Sequence, residues 1–319
     1  MALAARRWRC VALLCALPAT AAADEPMSWL ARMDQALREL SYEGRFVYVH
    51  GNTVEALHLI HTVRDGRERE RLTSLNDAAR EVLRDEDATT CIMPDMGTVS
   101  VGPRHPKHGR GMLSLEPQQV GEAYEARLDG SGRVAGRSAV FVSLLPRDQF
   151  RYGYRLALDG ETALPLRTEL LDETGAPLVQ TMFVDLRVGP EVRDPLEAAV
   201  AAAERGGAER PAPPLQQVPL PWVFADVPRG FRLTMAAQRA LPGTGRELQH
   251  VVFSDGVASV SIYIGAPGHH DLEGEAAVGP VNAYGAAVGG FHATALGEVP
   301  PSTLRAFVTG LRRQPEVSR

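Results

Sequence analysis

RVAGRSAVFVSLLPRDQFRYGYRLALDGETALPLRTEL, residues 133–170, reads as antiparallel sheet. Phe150, Tyr152, Tyr154, Leu156 and Leu158 take every second position, with Arg151, Gly153, Arg155 and Ala157 between them. Successive side chains of a strand point to opposite faces, so this period of two predicts one apolar and one polar face. Asp159-Gly160 predicts a tight hairpin turn that needs positive φ. Leu164, Leu166 and Leu170 resume the alternation on the return strand. Pro165 has no N–H, which predicts an edge position or pairing on one side only there.

The same pattern extends outward. Strand-like runs occupy about 42–50, 54–64, 67–74, 79–85, 89–92 and 98–101, then 134–145, 150–158, 163–172 and 178–188. Alternation is clean in Leu57, Leu59, His61 and Val63, and turns fall at Gly51-Asn52, Asp65-Gly66 and Asn76-Asp77, as in an antiparallel meander. Ahead of them, Ser28 is placed to cap a helix whose Trp29, Leu30, Met33, Leu37 and Leu40 recur at helical spacing. So large an antiparallel sheet must curl, close or be covered. Periodicity alone leaves a sheet curled around helices, a closed barrel and a sandwich all open.

Residues 195–218 interrupt the pattern: EAAVAAAER after Pro195 predicts a short helix, and GGAERPAPP a linker with little to bury. A second domain is expected over 219–319. Its hairpin joins 247–254 to 257–264 across Asp255-Gly256, with Val260, Ile262 and Ile264 on one face. Ser302 precedes a helix carrying Leu304, Phe307, Val308 and Leu311 on one stripe, and 314–319 reads as a frayed tail.

The first 23 residues read as a secretion signal: Arg6, Arg7 and Arg9, an apolar run from Cys10 to Thr20, and Ala21-Ala22-Ala23 at the cleavage position. The run is shorter than the about 20 residues that span a bilayer, so the mature chain is expected to begin near Asp24 in an exported compartment. Of the 3 cysteines only Cys91 then remains, beside Ile92 and Met93, and it reads as a small buried hydrophobe rather than half of a disulfide. A net charge of −5 argues against a nucleic-acid partner.

Chemistry is sparse. GSGRVA at 130–135 matches a dinucleotide-loop spacing, but a strand rather than a helix follows it, which defeats that reading. His58 and His61, three apart on a strand, point to opposite faces and cannot share a metal. His105, His108, His269 and His270 lie in loops. No catalytic constellation, metal site or cofactor is expected, and so no enzyme. Arg104, Lys107 and Arg110 lie in one loop with no acid between them, either a landing site for lipid phosphates or a solvated loop. Exposed ion pairs contribute about 0–1 kcal/mol each, so these cations alone would not hold a ligand. Arg133, Arg137, Arg151 and Arg155 read as the polar outer face of the sheet. Phe46, Tyr48, Tyr152 and Tyr154 read first as core packing and second as the wall of a site for an acyl chain.

The residue blocks are distinctive as words. RVAGR, a Pro-x-Asp, RYGYRLALD and LPLRTEL resemble the RseB/MucB family, periplasmic regulators of the envelope-stress sigma factor sigma-E. YEGRFVYVHGNTVEALHLIHT at 42–62, REVLRD at 80–85, CIMPD at 91–95, PRGF at 228–231, VVFSDGVASVSIYI at 251–264 and GEVPPSTL at 297–304 fit as well. The resemblance implies an α+β protein. Its N-terminal domain, here 24–194, is like the lipoprotein carrier LolA, an unclosed antiparallel β-barrel wrapping helices, and a smaller C-terminal α/β domain with an antiparallel sheet follows. It also implies a periplasmic protein that binds the periplasmic part of the anti-sigma factor RseA/MucA and protects it from site-1 proteolysis. Lipopolysaccharide or another amphiphilic lipid would relieve that block, and a homodimer is compatible with it. The second class open is a lipid or lipoprotein carrier of LolA type, which would not need the second domain. On either reading Phe46, Tyr48, Tyr152, Tyr154, Arg104, Lys107 and Arg110 are the contact candidates.

Overall fold

The computed structural model describes residues 21–76, 80–85, 89–93, 97–100, 115, 117–194, 216–217, 220–240, 247–268 and 271–314. Helix α1 (Ala21–Glu39) is followed by β1 (Tyr42–His50), β2 (Thr53–Arg64), β3 (Arg67–Ser74), β4 (Glu81–Arg84), β5 (Thr89–Met93) and β6 (Gly97–Ser100). A short α2 (Pro117–Ala123) leads into β7 (Tyr124–Val134), β8 (Arg137–Pro146), β9 (Gly153–Asp159), β10 (Pro165–Leu171) and β11 (Pro177–Val188). Each half is a meander, and antiparallel pairing of β1 with β11 joins them into one 11-stranded sheet ordered β6-β5-β4-β3-β2-β1-β11-β10-β9-β8-β7. The end strands β6 and β7 do not pair with each other, so the barrel is open.

One face of this sheet closes on α1. Leu30, Met33 and Leu37 of the helix join Phe46, Leu59, Val142, Leu144, Tyr154, Leu156, Leu158 and Phe183 in a single buried cluster. The expected turns form, with Asp65 (φ 51) and Gly66 (φ 76) both left-handed as a two-residue hairpin requires. Asn76 is described and Asp77 is not. Gly44 is required where β1 crosses β11, because a Cβ there would lie 2.4 Å from the Asp185 carbonyl oxygen. His58 pairs with Glu43 at 3.0 Å while His61 is buried and stacked on Tyr42, confirming opposite faces.

Several expectations are corrected. Helix α1 runs through Ser28, which therefore caps nothing. The strand expected at 150–158 begins only at Gly153. The turn after it is longer than two residues: Ala163 donates to the Asp159 carbonyl, and the positive φ falls on Ala163 (63°), not Gly160. Pro165, by contrast, pairs on one side only, as its missing N–H predicts: it faces Leu158 of β9, and the β11 pairing starts at Arg167. The register shift between Pro165 and Arg167 turns Leu166 to the other face, where it packs with Val134, Ala139 and Ala157. GSGRVA is the end of β7 and its turn, with Ala135 at φ 50 and Gly136 at φ 75. Cys91 lies on β5.

The second domain is a separate sheet, ordered β12-β14-β15-β16-β19-β18-β17. Its strands are β12 (Gln216–Gln217), β14 (Arg232–Ala240), β15 (Glu247–Ser254), β16 (Ser259–Gly265), β17 (Gly274–Val278), β18 (Val281–Val288) and β19 (Phe291–Gly297). β12 lies inside the stretch expected as linker; the rest of 195–215 and 218–219 is outside the described residues. Helix α3 (Pro301–Thr309) starts on Pro301 rather than after Ser302. Its Leu304, Phe307 and Val308 pack with Val260, Ile262 and Ile264 in a second buried cluster. β13 (Trp222–Phe224) and β20 (Leu311–Arg313) form a small two-stranded sheet beside it.

Candidate functional site

The contact candidates divide sharply. Phe46 is buried edge-on to Phe183 at 5.6 Å, and Tyr154 is buried edge-on to Tyr124 at 6.4 Å. Tyr48 packs at the border of the same cluster, half-buried. Tyr152 is buried and its hydroxyl accepts from Asn282 Nδ2 of the second domain at 3.0 Å. Arg104, Lys107 and Arg110 lie outside the described residues, as do His105, His108, His269 and His270. The four aromatics therefore build the apolar interior of the open barrel and its end facing the second domain.

That end is organised by a residue whose role the alternation hid. After Pro146 the chain turns instead of continuing as strand. Asp148 Oδ1 accepts the Phe150 N–H at 2.9 Å, a local side-chain turn that competes with the ladder. Arg151 thereby leaves the outer face. Its neighbours in the expected polar row remain there and are paired, Arg137 with Asp159 at 2.8 Å and Arg155 with Glu169 at 2.7 Å. Arg151 instead has a side chain that is 0% exposed.

Every nitrogen of its guanidinium is used. Nε and Nη2 donate to the Asp148 carboxylate, each at 2.9 Å, and Nη1 donates to Asp255 Oδ2 of the second domain at 2.6 Å. Nη2 also donates to the Arg229 carbonyl. The plane lies over the Phe231 ring at 5.0 Å, and Gly230 (φ 88) brings the backbone close: a Cβ there would sit 3.4 Å from Arg151 Nη1. Burial works against the charge on Arg151, but the hydrogen bonds it donates to Asp148 and the charge of Asp255 outweigh it and raise the guanidinium pKa.

Asp255 comes from the tip of the β15–β16 hairpin. The loop is four residues long, with Gly256 at φ 93 as its sequence predicts. Asp255 Oδ1 accepts the Val257 and Ala258 N–H groups at 2.9 and 2.7 Å, which shapes the turn. Oδ2 is left for Arg151 and, at 3.4 Å, the Tyr124 hydroxyl. The carboxyl is 0% exposed, and burial lifts its pKa while Arg151 and the backbone donors pull it down. Tyr124 is pushed well above its ordinary value by burial and by Asp255, so it stays neutral. Val257, two residues on in the turn, packs against the first domain's core.

Three further contacts complete the junction. Thr303 donates to the Phe150 carbonyl at 2.7 Å, Asn282 reaches Tyr152, and an exposed pair joins Arg232 to Glu122 at 2.8 Å. Glu298, in a cavity of about 260 Å³ with Val257 and Leu296, is raised by burial, and Tyr48 and Tyr154 are raised by their own burial first and by the charge of Glu298 second. A larger cavity of about 700 Å³ opens beside the junction between α1 and β7, lined by Met27, Tyr124, Ala126 and Leu128 together with Glu25, Glu125, Arg127 and Arg147. Among the described residues no group of acids, histidines and cysteines is placed to hold a metal ion. No described helix is long and apolar enough to cross a membrane.

An open antiparallel barrel with an apolar interior, docked end-on to a smaller sheet domain through a polar junction, is the build of a two-domain binding protein. The sequence pattern of the MucB/RseB N-terminal domain matches residues 25–202, and that of the MucB/RseB C-terminal domain matches 216–312. The chain belongs to the MucB/RseB family. It is 34% identical over 310 residues to the sigma factor AlgU regulatory protein MucB of Pseudomonas aeruginosa, covering 94% of each chain. It is 23% identical over 291 residues to the sigma-E factor regulatory protein RseB of Escherichia coli, covering 89% of each. The solved complex of Pseudomonas aeruginosa MucA and MucB superposes with a TM-score of 0.71 at 30% identity, covering 91% of this chain and 99% of that one. A crystal structure of MucB in complex with periplasmic MucA gives 0.67 at 30% identity, with 90% and 98% covered.

Proposed function

We propose that this chain is a periplasmic negative regulator of a sigma-E-type stress response. It binds the periplasmic segment of an anti-sigma factor of the MucA/RseA class and shields it from the first proteolytic cut. The observation that carries this reading is likeness along both domains to MucB in a structure that contains MucA. A minimal lipid carrier would need only the open barrel, whereas here a second domain is fixed to it through a fully hydrogen-bonded buried arginine.

The reading includes export, with residues 1–23 as the signal and three further segments: 24–194, a linker over 195–218, and 219–319. Lipopolysaccharide or another amphiphilic lipid relieves the block by entering the barrel, where Phe46, Tyr48, Tyr152 and Tyr154 supply apolar walls and Arg104, Lys107 and Arg110 meet phosphate. Burying a chain of about 12 methylenes contributes roughly 10 kcal/mol of gross transfer free energy. Much of that is offset by immobilisation. The remainder need only approach the about 5.5 kcal/mol that inverts a two-state equilibrium.

Immobilised periplasmic segment of the cognate anti-sigma factor should retain the mature protein, and lipopolysaccharide should elute it. Failure to bind the segment, with lipid still bound, would favour the carrier.

A further inference from the structure

The β15–β16 hairpin tip presents the chemistry of a ligand to the barrel. Asp255 offers a carboxylate to a fully buried arginine, and Val257, two residues on, adds an apolar side chain to the barrel's core. The same Tyr124 that donates to Asp255 also lines the about 700 Å³ cavity, where Met27, Ala126 and Leu128 stand beside the charged Glu25, Glu125, Arg127 and Arg147. That volume falls within the range of small-molecule sites, which combine apolar walls with a few fixed polar groups. The two buried clusters share no residue, and Val257 is the one second-domain side chain packed against the first domain's cluster, so the domains are joined chiefly by hydrogen bonds rather than by a common core. Such a junction can separate without unfolding either side.

We propose that the Asp255–Val257 tip is an internal stand-in for an anionic amphiphile. A phosphate or carboxylate headgroup replaces Asp255 on Arg151, the alkyl chain enters the cavity beyond Tyr124, and the hairpin is displaced. Arg151 is suited to the exchange because Asp148 keeps Nε and Nη2 occupied while Nη1 changes partner. Its planar fork matches carboxylate and phosphate alike. A displaced tip frees the second domain to reorient and dismantles any surface built from both domains. This deepens the lipid arm of the proposed function and rests on it, by adding Arg151 to Arg104, Lys107 and Arg110 as a group that meets the headgroup and by naming what the headgroup competes with there.

The test uses the full mature chain without any anti-sigma segment, so its outcome is independent of the protection assay. Dodecyl phosphate and dodecyl maltoside, each below its micelle concentration, are titrated while amide hydrogen exchange is followed over residues 254–258. Dodecyl phosphate should bind about tenfold more tightly than the maltoside and strip protection from those amides. Asp255→Asn should tighten dodecyl phosphate by about tenfold, the factor for loss of one competing charge-assisted bond. Arg151→Gln should abolish the headgroup preference. No binding of the phosphate, binding that leaves the hairpin protected, or a headgroup preference that survives Arg151→Gln would each overturn the proposal. If Arg151→Gln does not fold, the Asp255→Asn titration and the wild-type exchange data decide it.

Discussion

Asp255→Ala removes the carboxylate on which the domain junction turns. Arg151 Nη1 loses its acceptor at 2.6 Å and the Tyr124 hydroxyl loses one at 3.4 Å. The Val257 and Ala258 N–H groups lose theirs at 2.9 and 2.7 Å. A hydrogen bond to a charged group contributes about 1.5–3 kcal/mol, and an orphaned buried donor costs about 1–3 kcal/mol more. Breaking a buried ion pair from one side typically costs about 3–5 kcal/mol. Arg151 keeps Asp148 on two of its nitrogens, so about 3 kcal/mol is expected here. Asp255→Asn retains an oxygen for both backbone donors and should lose only the ionic share, about 1.5–3 kcal/mol. The assay is equilibrium urea unfolding of the mature chain, with Trp29 reporting on the first domain and Trp222 on the second. Paired with Arg151→Gln in a double-mutant cycle, Asp255→Asn should give a coupling of about 1.5–3 kcal/mol. A coupling below about 0.5 kcal/mol would mean that the pair is incidental to docking.

Gly256→Val should destabilise the second domain by about 1 kcal/mol or more, because a β-branched side chain is strained at φ 93; urea midpoints followed at Trp222 check it. Thr303→Val leaves the Phe150 carbonyl without its donor at 2.7 Å and should cost about 1 kcal/mol, seen as a melting temperature lower by about 2–4 °C. Burial alone would raise Asp159, but bonds from Arg137 and Thr162 outweigh it and hold its carboxyl below the usual range. A depressed folded-state pKa means that its contribution is present above the unfolded value and fades as pH falls through the folded one. Asp159→Asn should therefore melt earlier than the parent at pH 7, and the gap should begin to narrow below about pH 4 and close only once pH has fallen through the depressed folded-state value.

Much of the sheet is legible from alternation and turn chemistry. β1 to β3 and the 260–264 face emerge because apolar residues recur at every second position, punctuated by Gly51, Asp65-Gly66 and Asp255-Gly256. β7 is hidden because, as an edge strand, it exposes most of 127–133 and carries Gly130 and Gly132 where alternation should be. Leu166 is misplaced by one face because it sits in the register shift between Pro165 and Arg167, and nothing local marks that shift. The junction is hidden for a different reason. Phe150, Tyr152 and Tyr154 keep a perfect period of two through a segment that Asp148 has already turned out of the ladder, so Arg151 looks like its outward neighbours. Its partners lie 78 and 104 positions away in PRGF and SDG, and no periodicity links them. The one local signal was a Pro-x-Asp just ahead of the strand, with Asp148 able to bond its own backbone two residues on.

The most direct measurement of the central claim is the rate at which the site-1 protease cuts the cognate anti-sigma factor's periplasmic segment in a reconstituted system. The mature full-length protein should slow that cut, neither domain alone should slow it as far, and lipopolysaccharide should restore the uninhibited rate. An unchanged rate with saturating full-length protein would contradict the regulatory account outright, and protection that lipid leaves intact would remove the sensor from it.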